Sequence, residues 1–144
     1  MSKDKLAQFA GCWKLVSHEF RSSDGKIIHP WGEDPVGMSI NDGKGHFSAQ
    51  IMRRDRPKFA SQSPTFDELK AAYAGYVAYF GTTEVNEKEG FRINHVEGSL
   101  NPNWVGGEQI RHYELSGNRM TLRTPPVKIG DIELTGSLTW ERID

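Results

Sequence analysis

The chain has 144 residues, of which 36% are hydrophobic, and its 18 basic and 19 acidic residues leave a net charge of −1. This length and composition predict one folded domain over residues 1–144, and the near-neutral charge without a long basic run argues against a nucleic-acid partner. No apolar stretch has the length of a signal peptide or a membrane span, so we expect a cytoplasmic protein without a membrane partner. The single cysteine, Cys12, excludes an intramolecular disulfide. The sequence leaves the oligomeric state open, a homodimer included.

The first predicted elements are a short helix and a long strand. Residues 4–10 favour a helix, because their apolar side chains recur at helical spacing. The first strand is predicted over residues 13–20. Its odd-numbered side chains share one face: Trp13, Leu15, Ser17 and Glu19. An Asp-Gly turn at residues 23–26 and a short return strand over 27–29 complete a hairpin.

The middle of the chain combines a hairpin, a charged loop and a helix. Strands over residues 36–40 and 46–52 flank a turn rich in Asn, Asp and Gly. Residues 53–60 are predicted to form a loop, whose basic side chains either meet solvent or attract an acidic ligand. A capping box at Thr65 starts a helix from Phe66 to Tyr73. Because this helix interrupts a continuous run of strands, we predict that it acts as a lid.

The remainder of the chain alternates predicted strands with turns. These strands cover residues 76–85, 91–100, 109–115, 119–124 and 132–142. A run of about 8 to 10 antiparallel neighbours removes its exposed edges most completely by closing on itself, and a barrel of that size can hold a small ligand. The sequence therefore predicts an all-β fold, a closed antiparallel up-and-down β-barrel with a short N-terminal helix and one inserted helix as lid.

Two of these strands change from apolar to polar along one face and so suggest a pocket. On the first strand, one face carries Phe91, Ile93, His95, Glu97 and Ser99. On the second strand, one face carries Gln109, Arg111, Tyr113 and Leu115. Paired as a hairpin, these faces predict a pocket with an apolar floor and a polar mouth. The alternative is a solvated face, since half-exposed strands also carry His, Glu and Arg.

The polar side chains of this pocket, with two from the opposite wall, are the candidate ligand-binding residues. They are Gln50, Tyr79, His95, Glu97, Arg111 and Tyr113. Arg111 offers a counter-charge, and the apolar halves of both strands offer a hydrophobic floor. We therefore expect the chain to bind a small, mostly hydrophobic molecule with a polar or acidic group, without a cofactor.

A second function for the same pocket is acid–base catalysis by His95 and Glu97. Burial raises the pKa of a carboxyl group and a neighbouring cation such as Arg111 lowers it, so the balance would leave Glu97 a base near neutrality. Such a pair suits a cofactor-independent isomerase, cyclase or dehydratase acting on a polyketide-like or aromatic substrate. Ligand binding, catalysis and a purely structural polar network remain the three alternatives. We expect no metal site, because the sequence fixes no third ligand beside this pair.

The two ends of the chain resemble those of lipocalins. Gly11-Cys12-Trp13 resembles the Gly-x-Trp signature, and Leu138-Thr139-Trp140-Glu141-Arg142 resembles the last strand, whose Arg packs over that Trp. With the segments 31–37, 48–53, 79–82 and 95–106, they resemble the small bacterial and fungal lipocalin-like domain family over about residues 9–142. This resemblance implies a calycin-type barrel with an internal cavity, and some fungal relatives lie in natural-product pathways. The Thr-Asp-Tyr motif, signal peptide and disulfides of secreted lipocalins are missing, so extracellular transport is not implied.

Overall fold

The computed structural model describes residues 2–143. Within them, segments whose side chains alternate between inward and outward positions form ten β-strands. The strands are β1 (Gly11–Ser22), β2 (Ile27–Ile28), β3 (Val36–Asn41), β4 (His46–Met52), β5 (Tyr76–Asn86), β6 (Phe91–Ser99), β7 (Glu108–Ser116), β8 (Arg119–Arg123), β9 (Val127–Ile129) and β10 (Ile132–Arg142). The helices are α1 (Ser2–Ala7) and α2 (Phe66–Ala74), with a short 3-10 helix at Pro102–Trp104. None of the helices in this described part of the chain is long and apolar enough to cross a membrane.

Eight of the strands close into an antiparallel barrel. They follow the order β1-β3-β4-β5-β6-β7-β8-β10, and β10 then pairs with β1. The remaining two strands are short extensions, β2 on β1 and β9 on β10. Each strand of the ring pairs with a neighbour on both sides. Closure therefore leaves no exposed edge with unpaired backbone groups along the eight-stranded ring. The predicted closed antiparallel barrel is therefore confirmed.

A buried tryptophan seals one end of the barrel. Trp13 has no exposed surface, and its indole N–H donates a hydrogen bond of 2.9 Å to the carbonyl oxygen of Phe9. Arg142, its partner in the β1–β10 register, lies over the indole ring at 4.4 Å and donates to the carbonyl oxygen of Gln8 at 2.7 Å. This arrangement, predicted from the two chain ends, joins the first and last barrel strands and the segment after α1. The core around it contains Phe9, Trp13, Leu15, Ile51, Met120 and Trp140.

A local capping signal fixes the start of α2. The Thr65 hydroxyl accepts a hydrogen bond from the Glu68 amide at 3.1 Å, and the Glu68 carboxylate accepts one from the Thr65 amide at 2.9 Å. The predicted capping box is thus present, and the helix ends one residue later than expected. No residue of α2 is buried, so the helix lies on the barrel without being packed into it.

Replacing Trp13 by Ala should destabilise the protein by roughly 3 to 5 kcal/mol, because a large aromatic side chain leaves a cavity that the barrel end cannot refill. Urea denaturation followed by far-UV circular dichroism measures the free energy of unfolding. Phe66→Ala is the matched control, since the Phe66 side chain is 90% exposed. It should change this free energy by less than about 0.5 kcal/mol. Equal effects of the two substitutions would contradict the sealing role of Trp13.

Candidate functional site

The barrel encloses a cavity of about 300 Å³. All eight strands of the ring contribute lining side chains, and Pro30, Trp31 and Trp104 contribute from the loops. Most of the wall is apolar or aromatic, and it includes Phe47, Ile51, Leu122 and Trp140 among others. The volume lies at the lower end of the roughly 300 to 1,000 Å³ range of small-molecule pockets. The barrel therefore has room for a compact ligand.

Arg92 is a buried cation in the wall of this cavity. Its guanidinium donates to Asn41 at 2.9 Å, to Thr83 at 3.0 Å and to Asn94 at 3.3 Å, all through neutral oxygen acceptors. It also lies over the Phe9 ring at 4.8 Å. Burial lowers the pKa of Arg92 to about 10, which still leaves it charged at neutral pH. These hydrogen bonds engage Nε and Nη2 of the guanidinium, but none of the partners neutralises its charge.

Arg111 is a second cation in the same wall, directly opposite Arg92 in the β6–β7 pairing. Its hydrogen bond within the chain goes to the carbonyl oxygen of Ile110 at 2.9 Å. Burial lowers the pKa of Arg111, and the electrostatic effect of the Tyr79 side chain partly raises it again. Among the residues that the structure describes, no carboxylate lines the cavity or pairs with either arginine. The cavity is therefore positively charged.

Three further polar atoms of the cavity residues are buried without a hydrogen-bond partner in the described chain. They are His18 Nδ1, Gln109 Oε1 and Trp140 Nε1. Burial lowers the pKa of His18 to about 4, and Arg111 and His29 add to the effect, so the imidazole is neutral at pH 7. A buried polar atom without a partner costs about 1 to 3 kcal/mol. A ligand with oxygen atoms would recover part of that free energy.

Two of the predicted ligand-binding residues lie on the cavity wall. These are Tyr79 and Arg111, and burial raises the pKa of the Tyr79 phenol, which keeps it neutral. Tyr113 shares the inner face of β7 but packs into the core, where its ring meets Phe9 edge to face at 5.0 Å. The part of Tyr79 and Arg111 in ligand binding stays a prediction.

The expectation that His95 and Glu97 face the cavity is wrong. On β6 it is Arg92, Asn94 and Val96 that are buried, so the odd-numbered side chains point outward. His95 forms ion pairs on the outer surface with Glu84 and, at 3.3 Å, with Glu108. The strand places polar residues inward because hydrogen bonds between side chains satisfy them there. Acid–base catalysis by the predicted pair consequently has no geometrical basis in the cavity.

Gln50 also lies outside the barrel, where it accepts a hydrogen bond from the Tyr76 hydroxyl. Ser17 and Glu19, expected to share the inward face of Trp13, are displaced by a register shift in β1 between Leu15 and Ser17. Such a bulge moves all following side chains to the opposite face. It is what brings His18 into the cavity.

Six residues of the wall were not predicted from the sequence: His18, Arg92, Asn94 and the tryptophans Trp31, Trp104 and Trp140. One available signal was the strand face that carries Val16, His18 and Phe20, because Phe20 also lines the cavity. For β6, the partners of Arg92 on β3 and β5 lie up to 51 positions away in the sequence. No pattern within the strand itself indicates them.

Comparisons with known proteins agree with this architecture. A family model described as "Lipocalin-like domain" matches residues 10–143. The chain is 37% identical over 106 residues to the 4'-hydroxy-3'-methoxypropiophenone carrier protein of Aspergillus oryzae. The aligned region covers 67% of this chain and 96% of that relative. No solved structure matches the chain significantly.

Stability should depend on pH through His18. Its folded-state pKa of about 4 lies below the value of 6.5 for an unperturbed histidine, so the unfolded chain binds the proton first and stability falls as the pH drops below 6.5. Between pH 7 and 4.5 the wild type should lose about 2 to 3 kcal/mol more of its free energy of unfolding than His18→Gln does. Urea denaturation across this range measures the difference. Parallel pH profiles would contradict the burial of a neutral imidazole.

Proposed function

We propose a function for this chain that proceeds from its family: it belongs to the lipocalin-like domain family. Its barrel binds a small, mostly apolar molecule with an acidic or oxygen-acceptor group. The acidic or acceptor group lies at Arg111, and the apolar part contacts the aromatic and aliphatic wall. The protein then serves as a carrier or a sensor of that molecule.

The observation that carries this proposal is the position of Arg111. Arg111 is partly buried in the cavity wall, and a cation in that position without a carboxylate partner is costly, because the partial desolvation of its charge is not offset. An anionic or acceptor oxygen of a ligand would form a charge-assisted hydrogen bond with the guanidinium, and such bonds are about twice as strong as neutral ones. Arg92 adds to the positive potential, and its Nε and Nη2 donors are already engaged within the chain.

The rest of the wall supports an aromatic ligand. Phe47 and Trp104 both lie edge to face against Tyr79, with ring centroids 5.6 Å and 5.5 Å apart. Edge-to-face and offset-stacked contacts are the arrangements that aromatic rings prefer. His18, Gln109 and Trp140 add hydrogen-bonding atoms without a partner in the described chain. An aromatic ring with oxygen substituents matches both properties.

The relative's name narrows the class of ligand that we propose. A 4'-hydroxy-3'-methoxypropiophenone combines an apolar ring, a carbonyl acceptor and a phenol made more acidic by conjugation with that carbonyl. We extend this class, the phenolic aryl ketones, to the present chain. Among the described cavity residues none is a carboxylate, and His18 is a weak base. This favours a carrier that releases its ligand chemically unchanged over an enzyme that converts the ligand by acid–base catalysis.

Isothermal titration calorimetry with 4'-hydroxy-3'-methoxypropiophenone tests the proposal, and quenching of the fluorescence of the wall tryptophans provides a second readout. Arg111→Met should weaken binding about 10- to 100-fold, the usual worth of a hydrogen bond to a charged group. Arg123→Met is the matched control, since Arg123 is exposed on the neighbouring strand and pairs with Glu114. It should bind like the wild type. The 3',4'-dimethoxy analogue, which cannot ionise, should bind the wild type more weakly.

Equal binding by Arg111→Met and the wild type would contradict the proposed site. Chromatography of the ligand after long incubation separates a carrier from an enzyme. Recovery of the unchanged ketone is expected, and a new product formed by the wild type would favour catalysis instead.

We also propose that α2 is a lid over the mouth. Its C-terminal half is tied to the barrel by Arg56, which donates to the Ala72 carbonyl oxygen at 3.1 Å and lies over the Tyr76 ring at 5.1 Å. Its N-terminal half holds Phe66, which is 90% exposed. In that half the Glu68 carboxylate accepts a hydrogen bond of 3.0 Å from the amide of Ala60 in the exposed loop. A helix tied to the barrel at its C-terminal end, to a loop at its N-terminal end, and unburied along its length suits a hinged element.

Hydrogen exchange of the α2 amides should slow when 4'-hydroxy-3'-methoxypropiophenone saturates the protein, because closure buries the helix against the mouth. Mass spectrometry of peptides covering residues 66–74 measures this protection. Arg111→Met at the same ketone concentration is the control and should show a smaller change. If exchange in α2 is unaltered at saturation of the wild type, the helix is a fixed part of the fold and not a lid.

A further inference from the structure

A second, smaller pocket of about 160 Å³ lies beside the cavity, between α2 and the barrel mouth. We refer to it as the outer compartment and define it by its aromatic side chains Trp31, Tyr73, Tyr76 and Trp104. The rest of its wall consists of Ala74, Val77, Ala78, Ser99 and Asn101.

The outer compartment and the cavity share part of their walls. Trp31, Val77 and Trp104 line both spaces, so these three side chains form the boundary between them. Trp104 is held in place from both sides. Its ring packs against Tyr79 of the cavity, and it belongs to the 3-10 helix whose N-terminus Asn101 caps. A ligand anchored in the cavity therefore has the outer compartment as its nearest extension.

Three of the polar side chains of the outer compartment, those of Tyr76, Ser99 and Asn101, form hydrogen bonds within the chain. The Ser99 hydroxyl accepts from the Asn101 amide at 3.1 Å, and the Asn101 side chain accepts from the Asn103 amide at 3.1 Å. The Tyr76 hydroxyl donates to Gln50. The surface left for a ligand is aromatic and aliphatic, so the compartment suits an apolar group and offers little to a charged one.

Apolar side chains of α2 remain partly uncovered beside this space. Tyr73 lines the compartment and is 47% exposed, and Leu69 on the same helix is 46% exposed. Burial of apolar surface contributes about 25 cal/mol per Å², so an alkyl chain that covers Tyr73 would add to binding.

We infer that the outer compartment binds the alkyl tail of the ligand, whose acidic aromatic head lies at Arg111 in the cavity. This inference rests on the proposed function. It adds that the protein selects among the phenolic aryl ketones by the length of their acyl chain. The chain then prefers phenolic aryl ketones with acyl chains longer than propionyl. Trp31 and Trp104 are the side chains that the tail passes.

A homologous series tests this preference. Calorimetric titration with 4'-hydroxy-3'-methoxyphenyl ketones, from propionyl to octanoyl, should show affinity rising roughly fourfold for each methylene buried, until the tail fills the compartment. Tyr73→Ala should flatten the rise and weaken octanoyl binding about tenfold more than propionyl binding. Because Tyr73 is half exposed, this variant should fold. Phe66→Ala, on the same helix but outside the compartment, is the control and should keep the wild-type series.

The outcomes separate this inference from the proposed function. A flat series, or a Tyr73→Ala variant that matches the wild type for the long ketones, overturns the tail site and leaves the head site at Arg111 intact. Equal weakening of the propionyl and octanoyl ketones by Tyr73→Ala also overturns it, since the residue would then act on the whole site. If no ketone of the series binds, both proposals fall.

Discussion

Closure of the sheet between β1 and β10 is the constraint on which the rest of the molecule depends. Trp13 and Arg142 face each other across that seam, and the indole lies between the guanidinium and the chain after α1. This contact fixes the first barrel strand to the last and fills one end of the ring. The filled end supplies the close-packed apolar core, so the other end of the barrel can contain a cavity.

A barrel of this size is either filled by side chains or holds one small ligand, and the interior above that core carries charged side chains beside a cavity. Two arginines lie opposite each other on β6 and β7, and only Arg92 has its charge spread over several neutral partners. Buried charges without a counter-ion reduce stability, and proteins depart from good packing in this way mostly at functional sites. The cation at Arg111 and the unpartnered polar atoms nearby are such a departure, and a ligand explains them together.

Much of the fold could be read from local signals. Asp, Asn and Gly turns marked the hairpins, and the Thr65–Glu68 capping box marked α2 to within one residue of its end. The Gly-x-Trp start and the Trp-Glu-Arg finish located the seam. The face of β7 that carries Gln109 and Arg111 was also identified correctly, because this strand keeps its alternation without interruption.

By itself the sequence thus determined that the chain is an antiparallel barrel and where its ends meet, and it predicted that Tyr79 and Arg111 face inward. Only the tertiary structure decided which faces of β1 and β6 enclose the cavity. A bulge after Leu15 reverses the facing of β1, and nothing in the residues around it indicates one extra position. On β6, partners from distant strands stabilise Arg92 inside, so His95 and Glu97 lie outside although they follow two apolar residues on their face. Polar side chains can be buried wherever hydrogen bonds satisfy them, and those partners come together only when the barrel closes.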